Sequence, residues 1–310
     1  MFRVPGYSYT GPLLPLTAQE IETCEYLKSD VYRLSETIGE RNVWKSESLE
    51  SSALYITSEF EKLGLKVEEF KYSANAIPVK NIIGIKLGLE APEEIIVVGA
   101  HYDTVSGSPG ADDNASGVAA MLQIARLLAH EHLKKTIHFV AFVNEEPPFF
   151  FTQQMGSWQY AKNAKQNNDN IVAMFSLESI GYYVAEPNSQ NYPFPFNLFY
   201  PSTADFIGFV GNLSSRTLVH KTIASFRNNT QFPSEGISAP GWFPGIWLSD
   251  QLSFWRHGYP AVMITGTALY RNPNYHTGND LPNTLDYDRM ARVVYGLSKM
   301  IRECANKTNH

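Results

Sequence analysis

The stretch EEIIVVGAHYDTVSGSPGADDNASG, residues 93–117, decides the fold class of this chain. Within its first eight residues, 95–100 (IIVVGA) are a short, continuous apolar run, which is typical of a strand buried in the centre of a sheet. Residues 115–129 place their apolar side chains on one face of a helix. One histidine and three carboxylates lie between this strand and this helix, among glycine, serine and proline. Polar groups at the end of a buried strand indicate a ligand site.

Strands and helices alternate on both sides of this stretch. The pattern predicts an α/β fold with a mostly parallel central sheet and helices on both faces. Residues 184–246 interrupt the alternation and are rich in Pro, Asn, Phe and Tyr. We interpret them as a cap-like insertion over the active-site edge of a single domain, 1–310. Predicted strands are 65–72, 79–88, 93–100, 135–146, 170–181 and 259–267, and predicted helices are 16–36, 46–64, 115–129, 157–166 and 285–304.

Composition excludes several classes of protein. The hydrophobic fraction of 44% is enough for a substantial core, and the net charge is -6 without any basic run. A main partner among nucleic acids or anionic membranes is therefore not expected. No apolar run approaches the roughly 20 residues that span a bilayer. The start of the chain lacks a signal-peptide pattern, which favours the cytoplasm and leaves secretion of a processed precursor open.

The two cysteines, Cys24 and Cys304, lie in the first and last predicted helices. A disulfide between them requires that those helices touch. Two buried free thiols are the favoured interpretation.

Acidic or imidazole side chains follow the carboxyl ends of four predicted strands. The carboxyl ends of parallel strands meet at one edge of a sheet, so these groups should lie together there. Carboxylates gathered in one place repel each other unless a cation neutralises them. A carboxylate and imidazole set without thiolate suits zinc or another divalent first-row metal. The groups are His101, Asp103, Asp112, Asp113, Glu145, Glu146, Glu178 and His276.

Five segments, in chain order, resemble the motifs of the co-catalytic zinc aminopeptidases (metallopeptidase family 28). The family also includes carboxypeptidases and is related to the glutaminyl cyclases. The likeness is close over about residues 95–183 and 247–300 and weak elsewhere, although TGPLLPLT and IGERN look like one bacterial branch. The resemblance implies a three-layer sandwich with a zinc-dependent exopeptidase activity. The segments are GAHYDTV, SPGADDNASGVAA, FVNEE, SIGYY and NYHTGND.

The resemblance also implies a two-zinc centre. Asp113 would bridge the two ions, His101 and Glu178 would complete one site, and Glu146 and His276 would complete the other. Two Zn²⁺ ions and three carboxylates leave a charge of +1, which one hydroxide balances. Such a centre activates water near neutral pH.

Further roles follow from the same likeness. Glu145 would be the general base and acid, and Tyr275 would help hold the oxyanion. Asp103 would orient His101 by accepting its second ring proton, as zinc-bound imidazoles require. Asp250 matches a position that supports the site from outside the ligand set. Two residues depart from the common pattern, since Glu178 stands where most relatives have Asp, and Gln251 where they often have His.

Two alternatives to an aminopeptidase remain open from the sequence. One is a glutaminyl cyclase with a single zinc, and the presence of both His101 and Glu178 argues mildly against it. The other is a binding module that has lost catalysis, which the complete ligand set and Glu145 disfavour. The expected partners are peptides with a free N-terminus, with a weak preference for an apolar terminal residue from the aromatic insertion. The oligomeric state is left open.

Overall fold

The computed structural model describes residues 4–307. Strands and helices alternate through most of the chain, as the sequence predicts. The strands are β1 (Lys66–Ala74), β2 (Ile77–Lys86), β3 (Ala91–His101), β4 (Lys135–Phe142), β5 (Asn170–Glu178), β6 (Ile207–Asn212), β7 (Ser234–Ala239) and β8 (Ala261–Thr265). The helices are α1 (Ala18–Tyr32), α2 (Ser46–Lys62), α3 (Gly117–Leu128), α4 (Gly156–Asn167), α5 (Arg216–Asn229), α6 (Gln251–Arg256), α7 (Ala268–Arg271) and α8 (Tyr287–Asn306).

The eight strands form one sheet in the order β1-β2-β4-β3-β5-β8-β6-β7. The neighbours β4, β3, β5 and β8 are parallel to one another, and β6 is parallel to β7. The pairs β1–β2, β2–β4 and β6–β8 are antiparallel. The prediction of an α/β fold with a mostly parallel sheet is confirmed.

Both faces of the sheet are covered, which explains the continuous apolar run of β3. Ile96 and Val98 point into the larger core, which also contains side chains of α1, α2, α3, α5 and α8. Val97, between them, points into the opposite core beneath α4 and α6. Since successive strand residues face opposite sides, a strand that is buried on both sides needs apolar residues at every position.

Local signals bound the first two helices. Thr17 and Glu20 form a capping box at the start of α1. Gly64 follows α2 with a φ of 68°, a left-handed conformation that favours glycine. Cys24 and Cys304 are partly buried free thiols rather than a disulfide. In the described part of the chain, no helix has the length and apolarity to cross a membrane.

Residues 184–246 contain elements that the sequence analysis did not identify. β6, α5 and β7 extend the sheet beyond β8, with β6 antiparallel to β8 and β7 parallel to β6. The remaining parts, about 185–206 and 240–248, are loops that carry a small aromatic core of their own. The segment therefore supplies both the far edge of the sheet and a covering over that edge.

Candidate metal centre

Two groups of potential metal ligands share one carboxylate at the carboxyl edge of the sheet. His101 Nε2 lies 3.2 Å from Asp113 Oδ1 and 3.4 Å from Glu178 Oε2. His276 Nε2 lies 3.0 Å from Asp113 Oδ2 and 3.3 Å from Glu146 Oε2. Within each group the ligand atoms all lie within 4.8 Å of one another. Asp113 thus presents one oxygen to each group.

Strand register explains how distant residues meet here. His101 is the last residue of β3 and Glu178 is the last residue of β5, and these strands pair in parallel. Glu146 follows the next strand, β4, which pairs with β3 on its other side. The side chains therefore converge because parallel neighbours end at the same edge.

A network of hydrogen bonds fixes the loop that carries Asp113. The carboxylate of Asp280 accepts the main-chain N–H groups of Asp112 (2.9 Å) and Asp113 (3.1 Å). The Asp112 carboxylate accepts from the N–H of Gly181 and from the side-chain amide of Asn272. The position of Asp113 thus depends on the segments that follow β5 and precede α8. The sequence analysis quoted Asp280 within a motif but assigned it no role.

Glu145 and Glu146 are held together by one carboxylate. Asp103 accepts the main-chain N–H of each, at 3.1 Å in both cases. Asn144, directly before them, has a φ of 60°, which turns the chain sharply after β4. Glu146 belongs to the His276 group of ligands, whereas Glu145 belongs to neither group. Its Oε2 lies 3.9 Å from His101 Nε2, within reach of the space between the ligands.

His101 is oriented through its second ring nitrogen. Nδ1 lies 3.2 Å from the main-chain oxygen of Asp103 and 3.6 Å from its Oδ1. The carbonyl is the closer acceptor, while the carboxylate is engaged by the main chain of the two glutamates. A proton held on Nδ1 leaves Nε2 free to act as a ligand.

The longer side chain of Glu178 is accommodated by two serines. Ser179 Oγ donates to Oε1 at 2.7 Å, and Ser249 Oγ donates to Oε2 at 2.7 Å. Ser249 Oγ lies 3.1 Å from Ser176 Oγ, and Ser176 precedes Glu178 by two residues in β5. These hydroxyls hold the carboxylate against His101 despite the extra methylene relative to Asp.

His276 and Tyr275 form one rigid unit at the open side of the centre. Their rings stack with 3.9 Å between the centroids. His276 has a φ of 59°, and Ser179, beside Glu178, has a φ of 47°. Non-glycine residues in this conformation are strained, and such residues concentrate at functional sites. Burial raises the pKa of the Tyr275 hydroxyl, and the charges of Asp113 and Glu146 act in the same direction.

The donor set fits divalent cations. Asp113 Oδ1 and His276 Nε2 are buried and make no hydrogen bond within residues 4–307. Burial raises the pKa of Glu146 to about 7 and that of Glu145 well above its ordinary value, and neighbouring carboxylates add to both shifts. Buried like charges of this kind need a compensating cation to remain ionised together. Five oxygen and nitrogen ligands in two groups match the preferences of zinc.

Comparison with known proteins agrees with this geometry. Residues 81–301 match the sequence profile described as peptidase family M28. The chain belongs to peptidase family M28. It is 38% identical over 287 residues to the uncharacterized protein YfbL of Escherichia coli K12, a match that covers 89% of this chain and 87% of YfbL. It is 26% identical over 278 residues to leucine aminopeptidase 1 of Ajellomyces capsulatus, covering 82% of this chain and 65% of that protein.

Solved structures show the same fold at lower identity. The zinc aminopeptidase BSAP of Bacillus subtilis superposes with a TM-score of 0.74 and 16% identity, covering 96% of this chain and 97% of its own. The glutaminyl cyclase of Tannerella forsythia superposes with a TM-score of 0.68 and 19% identity, covering 92% and 99%. The fold of this M28 chain is therefore that of the zinc aminopeptidases, and it is shared with a cyclase.

Asp250 and Gln251, at the start of α6, lie behind the centre of this M28 chain. Both are fully buried. Burial raises the pKa of Asp250 to about 7. Gln251 Nε2 donates to the main-chain oxygen of Ile246 at 2.9 Å and lies 3.6 Å from Met263 Sδ. Gln251 therefore links the loop before α6 to β8.

A buried arginine supports the centre from the N-terminal side. Arg41 lies in the segment IGERN and is completely buried. Its guanidinium donates to five main-chain oxygens, among them those of Tyr102, Pro109 and Gly110. It thereby ties together the two loops that carry His101 and Asp113. The sequence analysis noted the segment as family-like but did not assign this residue a role.

An apolar cavity of about 110 Å³ opens beside the ligands. Glu178 and Tyr275 form its end at the metal centre. Most of its wall comes from β6, β7, β8 and the loops of 185–206 and 240–248. Among the aromatic residues of 184–246, Tyr192 and Phe196 line this cavity, while Phe226 and Phe232 belong to the main core.

Proposed function

We propose that this protein is a zinc-dependent aminopeptidase, which removes the terminal residue from peptides with a free N-terminus. The observation that carries the proposal is the pair of complete ligand groups sharing Asp113, with the unliganded carboxylate of Glu145 beside them. Zinc held by these groups would polarise the scissile carbonyl and make water a nucleophile near neutral pH. The similarity to leucine aminopeptidase 1 supports the same activity.

The side chains around the ligands have the properties that hydrolysis requires. Glu145 takes a proton from the attacking water and returns it to the leaving amine, because its carboxylate faces the ligands without being one of them. Tyr275 stays protonated, since its pKa is raised, and donates a hydrogen bond to the developing oxyanion. Asp103 positions Glu145 through the main chain.

The cavity favours an exopeptidase over an endopeptidase. An exopeptidase must enclose one terminal side chain and prevent the substrate from extending beyond it. The cavity begins at Glu178 and Tyr275 and is bounded on its far side by β7, the edge strand of the sheet. A single side chain therefore fills it.

A glutaminyl cyclase is the second candidate, because that activity occurs on the same fold. The cyclase needs only one metal, so it gives no reason to keep both ligand groups complete. Retention of both groups and of Glu145 also disfavours a binding module without catalysis.

The test combines metal analysis with a substrate panel. We expect about two zinc ions per chain and release of the terminal residue from aminoacyl p-nitroanilides, but not from their N-acetylated analogues. Ammonia release from an N-terminal glutamine peptide, without cleavage of any peptide bond, would establish the cyclase instead. Two bound zinc ions with neither activity would contradict both enzymes.

A further inference from the structure

One row of residues crosses the sheet from the metal centre to the edge strand. Glu178 pairs with Thr265, Thr265 with Gly208, and Gly208 with Glu235. Adjacent strands lie about 4.8 Å apart, so the two glutamates at the ends of the row are roughly 14 Å apart along the sheet. Residues that are paired across a sheet face the same side. Glu235 therefore faces the same side as the metal ligand Glu178.

The cavity follows this row. Glu178, Thr265, Gly208 and Glu235 all line it. Gly208 has no side chain, which leaves the floor open between the two glutamates. A Cβ built there would have its nearest neighbour at 3.3 Å, the main-chain oxygen of Thr265.

The ionisable side chains of this cavity are acidic. Glu178 and Glu235 line it, and none of the lining residues is Lys, Arg or His. Aromatic rings form much of the remaining wall, including those of Tyr192, Phe196 and Tyr200. Aromatic walls accept the methylene stem of a long basic side chain, and a carboxylate at the far end attracts its charged head.

Glu235 is a partly buried acid that the proposed reaction does not use. Within residues 4–307, no Lys or Arg forms an ion pair with it. The guanidinium of Arg227 donates instead to the main chain of Pro5, Gly6 and Ser234 and to the Ser234 hydroxyl. Burial raises the pKa of Glu235, while the Ser8 hydroxyl and the charge of Arg227 act in the opposite direction. A cation placed beside this carboxylate would favour its charged form.

We propose that Glu235 makes the cavity selective for a terminal lysine or arginine, whose charged head pairs with this carboxylate. This inference rests on the proposed aminopeptidase function and names its substrate class. Lysine and arginine have longer side chains than leucine and therefore reach farther from the metal centre toward Glu235 on β7. It replaces the weak expectation of an apolar terminal residue, which took account of the aromatics alone.

The experiment compares lysine with norleucine, which has the same carbon chain without the ammonium group. We expect the zinc-loaded protein to hydrolyse lysyl and arginyl p-nitroanilides with a higher kcat/KM than norleucyl and leucyl p-nitroanilides. Glu235→Gln should lower the lysine-to-norleucine ratio by about 10- to 100-fold, since a hydrogen bond between charged groups is lost.

Two control variants separate charge from shape. Glu186→Gln removes the same charge from an exposed position that does not line the cavity, and it should keep the lysine-to-norleucine ratio. Gly208→Val fills the floor, so it should reduce the rates for lysine and norleucine together and spare alanine. Thermal unfolding of each variant verifies that it is folded.

The outcomes distinguish this inference from the proposed function. Hydrolysis with a norleucine preference, or with a ratio that Glu235→Gln leaves unchanged, overturns the inference and leaves the aminopeptidase intact. Failure to release any terminal residue contradicts the aminopeptidase. In that case, calorimetry measures the affinities of lysinamide and norleucinamide for the parent and for Glu235→Gln. A lysinamide affinity that depends on Glu235 supports the proposed role of this residue, and equal affinities overturn it.

Discussion

Glu145 and Glu146 are neighbours in the chain, yet the structure separates their tasks. Glu146 faces His276 as a potential ligand, whereas Glu145 faces the space between the two ligand groups. Two features produce this separation: the sharp turn at Asn144, and the hydrogen bonds that the Asp103 carboxylate accepts from both N–H groups. A proton carrier has to stay unliganded, because coordination would remove its basic lone pair.

Replacement of Glu145 by glutamine tests this division. Glu145→Gln preserves size and removes the basic carboxylate, so kcat should fall by about 10²- to 10⁴-fold while zinc content and melting temperature are kept. Glu93→Gln, an exposed position at the other end of β3, is the matched control and should keep full activity. Loss of zinc from Glu145→Gln would instead make this residue a ligand, and undiminished kcat would place the base elsewhere.

Sequence could predict the residues that carry chemistry better than those that position them. The ligand candidates stand at strand ends in recognisable motifs. Arg41 and Asp280 act on main-chain groups of distant loops, and such contacts leave no spacing pattern in the sequence. Evidence that Arg41 and Asp280 are buried would have identified them. Their burial does not follow from the hydrophobic periodicity of the sequence.

At the scale of elements, the centre depends on loops that are joined through Arg41. Residues 33–41 contact the loop after β3, through Tyr102 and Thr104, and the loop before α3, through Pro109 and Gly110. The sheet alone fixes the position of His101, because His101 is the last residue of β3. The guanidinium of Arg41 fixes the distance between the two loops. The N-terminal region is thereby part of the active-site framework.

Removal of the guanidinium should therefore destabilise the whole domain. Arg41→Met would leave several buried carbonyls without donors, at about 1–3 kcal/mol each, so a loss of at least about 3 kcal/mol in the free energy of unfolding is expected. Urea denaturation of the zinc-loaded protein measures it. Arg302→Met, at a half-exposed position on α8, serves as the control and should change stability little. A loss below about 1 kcal/mol for Arg41→Met would contradict this role.

Central strands were predictable and the far edge of the sheet was not, for a physical reason. β3 and β5 are buried on both faces and carry long β-branched or apolar runs. β6 and β7 have six residues each, IGFVGN and SEGISA, in which glycine and serine replace large side chains. Their stability comes from pairing with β8 and packing beneath aromatic loops, which only the folded chain reveals.

For the whole molecule, the gathered carboxylates make stability depend on bound cations. Ligands that bind the native state alone stabilise it by mass action. The five ligand side chains come from separate parts of the chain, from His101 to His276, so unfolding destroys both sites. Zinc binding and folding are thus linked.

Chelation should lower the melting temperature of the intact protein. Binding at 100 times the dissociation constant contributes about 2.7 kcal/mol, and 1 kcal/mol corresponds to about 1.5 °C for a chain of 310 residues. A decrease of at least about 4 °C on removal of zinc by EDTA, reversed by added zinc, is therefore expected. Asp113→Ala removes the shared ligand and should show no further decrease with EDTA. An unchanged melting temperature of the parent would count against metal binding.

The strand order also has an evolutionary consequence. His101, Glu146 and Glu178 lie at or after the ends of β3, β4 and β5 in one half of the sheet, whereas β8, β6 and β7 in the other half contribute to the wall of the cavity. Substitutions on β6 and β7 can therefore change the cavity while the two ligand groups stay unchanged. The cavity and the ligand groups can change independently during evolution in such a fold. Members of peptidase family M28 with identical ligands can therefore differ in the substrates that they accept.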